Sequence, residues 1–428
     1  MGRPGTKNRA MRLLVITPHY PPDGGPSAPL FGMLCETLAR RGMDVTVIAA
    51  APHYPSGRVL KDFCGRWVRR TDENGVRVFR VWVPSVDRTR LPLRALQFLC
   101  FQLGAALAGF SRRYDVALFS NPGLDIWLPF AIHAVLRRTP TVFSVYDVYP
   151  DIGIALGIFR TPSVIWAVTA LERFCLRHSS SVRIISESFA PSLRALGVPA
   201  AKLVLIYDYV DTELIKRLPR RNLFASENGL ADRFVVLYAG NIGLSQGLEN
   251  VLLAAERLSS YPDVLFVFVG DGTGREALVA EAEKRRFHNI RFLPFQPRAQ
   301  VAEVLASADI SLVILKKGIG TQSLPSKIIS ILASGRPLLA SVDEQSAAAD
   351  LVKRSKAGLC VPPEDPGRLA EAVLTLRNAP EMREELGRNG RRYALRNHSV
   401  ESAAERFEAL FRAAVEEWRF HRKMRTSG

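Results

Sequence analysis

"RLLVITPHYPP" at residues 12–22, "APLFGMLCETLARRG" at 28–42 and "DVTVIAA" at 44–50 are the three pieces whose reading decides the fold. The first is a short apolar strand that ends in a proline-rich loop. The second spaces its apolar residues as an amphipathic helix and stops at Gly42. The third is another apolar strand. Strand, helix and strand with short connections make a parallel α/β unit.

The pattern runs outward from there. "VRVFRVWV" (76–83), "DVALFS" (115–120), "TVFSVYD" (141–147) and "SVRIIS" (181–186) read as further strands. It then restarts with "FVVLYAG" (234–240), "DVLFVFVGDG" (263–272), "IRFLPF" (290–295), "ISLVIL" (310–315), "PLLAS" (337–341) and "GLCVP" (358–362). Such near-continuous apolar runs fit strands covered by helices on both faces. The expected class is α/β, with two doubly wound domains in tandem. Their boundaries fall at 1–207 and 232–399, with a polar linker at 208–231 and a charged helical tail at 400–428. Two such domains facing each other would form a cleft at the carboxyl ends of both sheets.

The 428 residues suit two domains, and 47% hydrophobic with 23% charged residues argues against disorder. Five scattered cysteines show no metal-finger or redox spacing, so a reduced, cytoplasmic compartment is expected. "LLVIT" (13–17) is too short for a secretory signal, and Met11 just before the first strand suggests a ragged leader. The net charge of +17 is uneven: residues 1–206 hold 26 Lys and Arg against 13 Asp and Glu. The first half therefore faces something anionic, and without a nucleic-acid motif that partner is a membrane surface or a phosphorylated substrate. "ALQFLCFQLGAALAGFS" (95–111) is uncharged between Arg94 and Arg112-Arg113, and reads as a buried or interfacial helix rather than a span.

Candidate site residues cluster in the loops that follow strands. "YAGNIGLSQGLENV" (238–251) places Gly240 and Gly243 where a ligand's backbone approach is close, with Asn241 and Gln246 beside them. "FVGDGTGREAL" (268–278) repeats the form with Gly270, Asp271 and Arg275, and Phe295 ends a later strand. "KKGIGTQSLPSK" (316–327) offers an anion nest through Gly320 and Thr321, followed by Leu324, Ser326 and Lys327. A cation at a helix start opposes the helix dipole unless a diphosphate sits between them. In the first half Gly24 and Gly25 precede a helix and suit an anionic or polar group. His53, Tyr54, Asp147 and Asp151 follow strands at the same rim. No Asp-x-Asp occurs, so the simple carboxylate pair for a metal on a nucleotide diphosphate is lacking and no metal is expected.

Together, "ITPHYPPDGGPSA", "APHYPSG", "YAGNIGLSQGLENV", "GDG" and "LPSK…LASGRP" resemble the retaining glycosyltransferases of the GT-B fold. The likeness is greatest to the bacterial branch with colanic-acid, O-antigen, capsule and L-fucosamine transferases. It implies two Rossmann-like domains facing a cleft, with the C-terminal helix packing back on the first. It implies a nucleotide-sugar donor, expected to be a UDP-sugar, bound by the second domain and no other cofactor. The family's diphosphate-binding Arg/Lys pair falls on Asn241 and Gln246, and its two glutamates fall on Gln322 and Ser330. All four are neutral, which shifts the phosphate charge to Lys327. Asp147 is the candidate for orienting the acceptor hydroxyl. Gly24, Gly25, His53, Tyr54 and Asp151 are candidates for binding the acceptor. With the basic first half, the expected acceptor is a polyprenyl-diphosphate-linked glycan. The expected location is the inner face of the cytoplasmic membrane, bound peripherally to an anionic surface. An epimerase of the same fold and a non-catalytic scaffold stay open beside the transferase.

Overall fold

The computed structural model describes residues 10–426, apart from 26, 88–89, 111, 156, 244–245 and 319–323. The chain divides into two compact units, one of residues 1–206 with 400–428 and one of 207–399.

The first unit is built on β1 (Arg12–Ile16), β2 (Asp44–Ala50), β3 (Val68–Glu73), β4 (Val76–Val81), β5 (Val116–Ser120), β6 (Thr141–Val145), β7 (Ser181–Ile184) and β8 (Leu203–Leu205). Their order is β3-β4-β2-β1-β5-β6-β7-β8, and every pair is parallel except β3 with β4. Buried Val, Ile, Leu and Phe fill β1, β2, β5 and β6, as two-sided cover by helices requires. The chain leaves β1 toward β2 on one side and later places β5 on the other. That reversal opens a crevice at the carboxyl end of β1.

Two strands were not read from the sequence. β3 joins β4 through Asn74 and Gly75, both at positive φ, the dihedrals a tight hairpin turn demands. β8 has three residues, too few for a periodic signal.

The uncharged run lies in the helix Leu91–Phe110. It docks through buried polar groups: Gln97 Nε2 donates to the Pro84 carbonyl at 2.8 Å, and Gln102 Nε2 to the Leu124 carbonyl at 3.1 Å. Phe101 and Ala105 are buried, whereas Leu96, Leu99, Leu103, Leu107 and Phe110 are exposed. The residues 93–110 are long and apolar enough to cross a membrane, and a third of them are buried in the protein.

The helix Val400–Thr426 packs back on this unit. Phe407 and Phe411 are fully buried, and Arg41 Nε donates to Glu408 Oε2 at 3.0 Å.

The second unit holds β9 (Phe234–Ala239), β10 (Val264–Val269), β11 (Ile290–Leu293), β12 (Ile310–Ile314), β13 (Leu338–Ser341) and β14 (Gly358–Val361). All run parallel in the order β11-β10-β9-β12-β13-β14, a dinucleotide-fold order with its reversal between β9 and β12. Residues 208–231, expected as a linker, are tied into this unit. The Asp208 carbonyl meets His398 Nδ1 at 2.6 Å, and Arg220 grips Asp309 at 2.8 Å.

Candidate active site

The two strands that flank the reversal in the second sheet supply its site. β9 ends at Ala239 and runs into Gly240, which has φ +129°. The loop after β10 lies hard against it. A Cβ on Gly270 would stand 2.0 Å from the Gly240 carbonyl oxygen, and one on Gly272 would stand 2.3 Å from that of Ile242. Only glycine permits this approach. Backbone bonds then lock the loops: Gly240 N donates to Val269 O (2.9 Å), Ile242 N to Asp271 O (2.8 Å) and Gly274 N to Ile242 O (2.9 Å).

From the other side of the reversal comes the helix Lys327–Ser334, which follows β12. Lys327 as a whole is partly buried, yet its Nζ is closed off from solvent and has no hydrogen-bond partner among the described residues. It stands 3.7 Å from the centroid of the Tyr238 ring, a cation–π contact. A Cβ on Gly240 would be 3.2 Å from it. Burial pulls the ammonium's pKa down to about 7. Ser326, the residue before the helix, makes no side-chain cap. A buried, unpaired cation beside glycine-rich backbone and a helix start is an arrangement built to receive an anion. At the helix's other end Gly335 adopts a left-handed cap with φ +67°. The helix Pro380–Asn397 packs so close there that a Cβ on Gly387 would be 2.2 Å from the Gly335 oxygen.

The other expected donor residues fall around this point in different states. Gln246 Oε1 accepts from Gly243 N at 2.9 Å, and Asp271 Oδ1 accepts from Gly272 N at 2.8 Å. Both brace their own loops. Asn241 is exposed, and its carbonyl accepts from the Tyr238 hydroxyl at 2.6 Å. Arg275 opens the helix Arg275–Lys284, Leu324 is buried, and Ser330 lies one turn beyond Lys327. Phe295 is 71% exposed beyond β11. Gly320 and Thr321 lie outside the described residues, as does Gln322.

In the first unit the loops after β1 and β2 come together around a residue the sequence reading passed over. Asp23 is buried, and its two carboxylate oxygens accept four hydrogen bonds. Oδ1 takes His19 Nδ1 (2.8 Å) and Gly25 N (2.8 Å); Oδ2 takes His53 N (2.7 Å) and Tyr54 N (3.0 Å). Burial alone would raise its pKa. The hydrogen bond with His19 and the two amides of the second loop outweigh it, and the carboxyl sits at about 2.

Gly24 and Gly25 are tied into this cluster. The Gly25 amide serves Asp23 and not an incoming anion. Gly25 is glycine because a Cβ would lie 2.3 Å from His19 Cγ, and a Cβ on Gly24 would come within 3.1 Å of the Tyr54 oxygen. A sequence signal existed: "PHYP" occurs twice, at 18–21 and 52–55, once after each strand.

Asp147 and Asp151 follow β6, two strands from β1 in the sheet order. Asn121 pins this loop, with its side-chain amide on the Asp147 carbonyl and its oxygen taking Tyr146 N at 2.9 Å. Behind Asn121 stands Glu172, buried, with Gly123 N donating to it at 2.7 Å. Desolvation raises the Glu172 pKa to about 7. Burial also pushes that of Asp151 up. Among the described residues, no three His, Cys, Asp or Glu side chains are grouped to hold a metal ion.

Two family models match the chain in tandem. One, described as a glycosyl transferase 4-like domain, covers residues 25–208; the other, described as glycosyl transferases group 1, covers 220–393. The chain belongs to the group 1 glycosyltransferase family. Among its relatives is WcaI of Escherichia coli, whose name assigns it provisionally to colanic acid biosynthesis. The two are 28% identical over 381 residues, covering 85% of this glycosyltransferase and 91% of WcaI. Sucrose-phosphate synthase from Thermosynechococcus elongatus superposes with a TM-score of 0.72 at 18% identity, covering 94% of this chain and 98% of that one. HepE from Anabaena, solved in complex with UDP-glucose, gives 0.67 at 17% identity, covering 94% and 99%. At these identities the likeness shows a shared two-domain GT-B fold. The Lys327 site occupies the group 1 half of this glycosyltransferase and the Asp23 loops the first two strands of the other half.

Proposed function

We propose that this glycosyltransferase moves a sugar, with retention of anomeric configuration and without a metal ion, from a UDP-sugar to a polyprenyl-diphosphate-linked glycan. The observation that carries the donor half is Lys327 Nζ, buried at the reversal of the second sheet with no hydrogen-bond partner among the described residues. A diphosphate there supplies the missing counter-charge, and the cation in turn stabilises the charge that develops on the leaving group. The start of the helix Lys327–Ser334 adds a favourable dipole, while the Gly240, Ile242 and Gly243 amides are engaged within the loops that frame the site. HepE, of the same fold, holds UDP-glucose, and the neutral Asn241 and Gln246 leave Lys327 as the main cation for the role. Retention follows from the family resemblance, and metal independence from the lysine together with the missing Asp-x-Asp pair. Asp147 is the group assigned to orient the acceptor hydroxyl.

The acceptor half rests on the first unit. The exposed stripe Leu96, Leu99, Leu103, Leu107 and Phe110 is flanked by Arg90, Arg94, Arg112 and Arg113 in a region of excess positive charge. An apolar face with a basic rim suits an anionic membrane surface, where lipid-linked glycans reside. These features support a peripheral location at the inner face of the cytoplasmic membrane, and the colanic acid biosynthesis in WcaI's name supports a role in cell-surface polysaccharide synthesis.

A melting-temperature screen across nucleotide sugars tests the donor, since a ligand that binds only the folded state raises the midpoint. A rise with UDP-sugars in the presence of EDTA is expected. No rise with any nucleotide sugar removes the reading. Donor alone yielding a changed sugar would assign an epimerase instead.

A further inference from the structure

His19 has no place in the transfer scheme above, yet its side chain is hydrogen-bonded to buried Asp23 and packed against Gly25, His53 and Tyr54. We propose that His19 binds a neutral hydroxyl of the acceptor sugar, its Nε2 accepting the hydrogen bond in a tautomer that buried Asp23 fixes. This rests on the reading of the first unit as the acceptor-binding half.

The tautomer follows from the partners. Asp23 is 6% exposed, and with a carboxyl at about 2 it is ionised at neutral pH. A carboxylate only accepts, so the hydrogen between Asp23 Oδ1 and His19 Nδ1 lies on the imidazole. A neutral ring that carries its hydrogen on Nδ1 presents a lone pair at Nε2. That atom has no hydrogen-bond partner among the described residues, and 16% of the side chain is exposed. His53 has the same polarity, its Nδ1 lying 2.9 Å from the Ala51 carbonyl, which can only accept.

The ring is also fixed in place. Gly25 lies against its Cγ, as the forbidden Cβ there shows. The His53 ring centroid is 5.5 Å away and that of Tyr54 5.6 Å, the latter edge-on. The loop itself is held from β4. Buried Arg80 donates to the Tyr20 carbonyl at 3.4 Å and to that of Pro21, and pairs with Glu73 at 3.1 Å. A ring so constrained holds its lone pair in one direction, on the loop that follows β1 beside the sheet's reversal.

The chemistry selects the ligand class. The nearest full charge to His19 is negative, and the Gly25 amide is already engaged. An incoming phosphate would approach a carboxylate, with the adjacent Gly25 amide already taken. A hydroxyl meets an acceptor, and the half-buried Tyr54 ring beside it offers apolar surface to a sugar.

The test uses the full-length protein labelled with 15N-histidine, read by long-range proton–nitrogen spectra. His19 is expected as the Nδ1–H tautomer in the wild type and to lose that preference in Asp23→Asn. Methyl glycosides of glucose, galactose and N-acetylglucosamine are then added as probes. At least one is expected to shift the His19 Nε2 signal, whereas inorganic phosphate leaves it in place. In transfer assays His19→Asn is expected to raise the acceptor KM about tenfold, the scale of one lost hydrogen bond. The kcat changes little, and the UDP-induced rise in melting temperature is unchanged. An Nε2–H tautomer, a His19 signal unmoved by every glycoside, a shift with phosphate alone, or an unaltered acceptor KM each overturns the proposal. Should UDP fail to stabilise the wild type, the donor reading falls, and the tautomer and glycoside spectra still decide His19.

Discussion

The two loop clusters of this glycosyltransferase treat charge in opposite ways. In the second unit Lys327 Nζ is buried with no hydrogen-bond partner among the described residues. In the first unit Asp23 is buried with four donors on two oxygens. The cation is left in deficit and the anion is over-supplied. A deficit is a place where an incoming charge is rewarded. A surplus is a rigid frame that holds other groups for a ligand. One cluster therefore reads as a receptor and the other as a mount.

The contrast can be broken at its strongest point first. Asp23→Ala leaves an imidazole and three buried amides without their acceptor, and should destabilise the protein by about 3–5 kcal/mol, read by urea unfolding. A loss below about 1 kcal/mol would mean that water or another group takes over, and the mount would be no mount. Next, Lys327→Ala should lower turnover by roughly two orders of magnitude, the scale of one lost transition-state donor. A near-normal rate in a steady-state assay would remove the phosphate role.

The acid limb sharpens the picture further. The Asp23 carboxyl sits at about 2 against an ordinary 3.9, so its contribution is complete above about pH 4 and lost as pH falls through 2. That amounts to roughly 2.5 kcal/mol, and acid unfolding of Asp23→Ala should lack it. The smallest effect has the opposite sign. Lys327→Met removes a desolvated charge and should stabilise the empty enzyme by about 1–2 kcal/mol at pH 7, while abolishing the rise on adding UDP. Between pH 7 and about 10.4 the unfolded chain holds a proton on Lys327 that the folded one does not. Wild-type stability therefore climbs over that range, and the advantage of the variant shrinks with it. A constant advantage from pH 7 to 10 would show that the amine is not desolvated.

How much of this could be read from the chain varies by element. The strands at 12–50 and 234–269 announced themselves because two-sided burial leaves little but Val, Ile, Leu and Phe. The hairpin of β3 did not, since four of its six residues are charged and it lies at the sheet edge, although Asn74-Gly75 marks its turn. Lys327 was legible as an oddly placed cation. Its burial against Tyr238 was not, because that ring arrives from another strand. Asp23 was missed for the same reason. Its sequence neighbours look like an ordinary turn, and two of its four partners come from residues 53 and 54. Hydrophobic period is written locally, whereas a hydrogen-bond keystone is written only in the fold.

The helix Val400–Thr426 carries a consequence for how the molecule is made. It belongs to the first unit but follows the second along the chain. During vectorial synthesis the strands up to β8 emerge long before Phe407 and Phe411, which complete their packing. The first unit must therefore wait, partly uncovered, while the second is translated and folds. Its last helix acts as a clasp, closing the first unit only after the ribosome has read through the other.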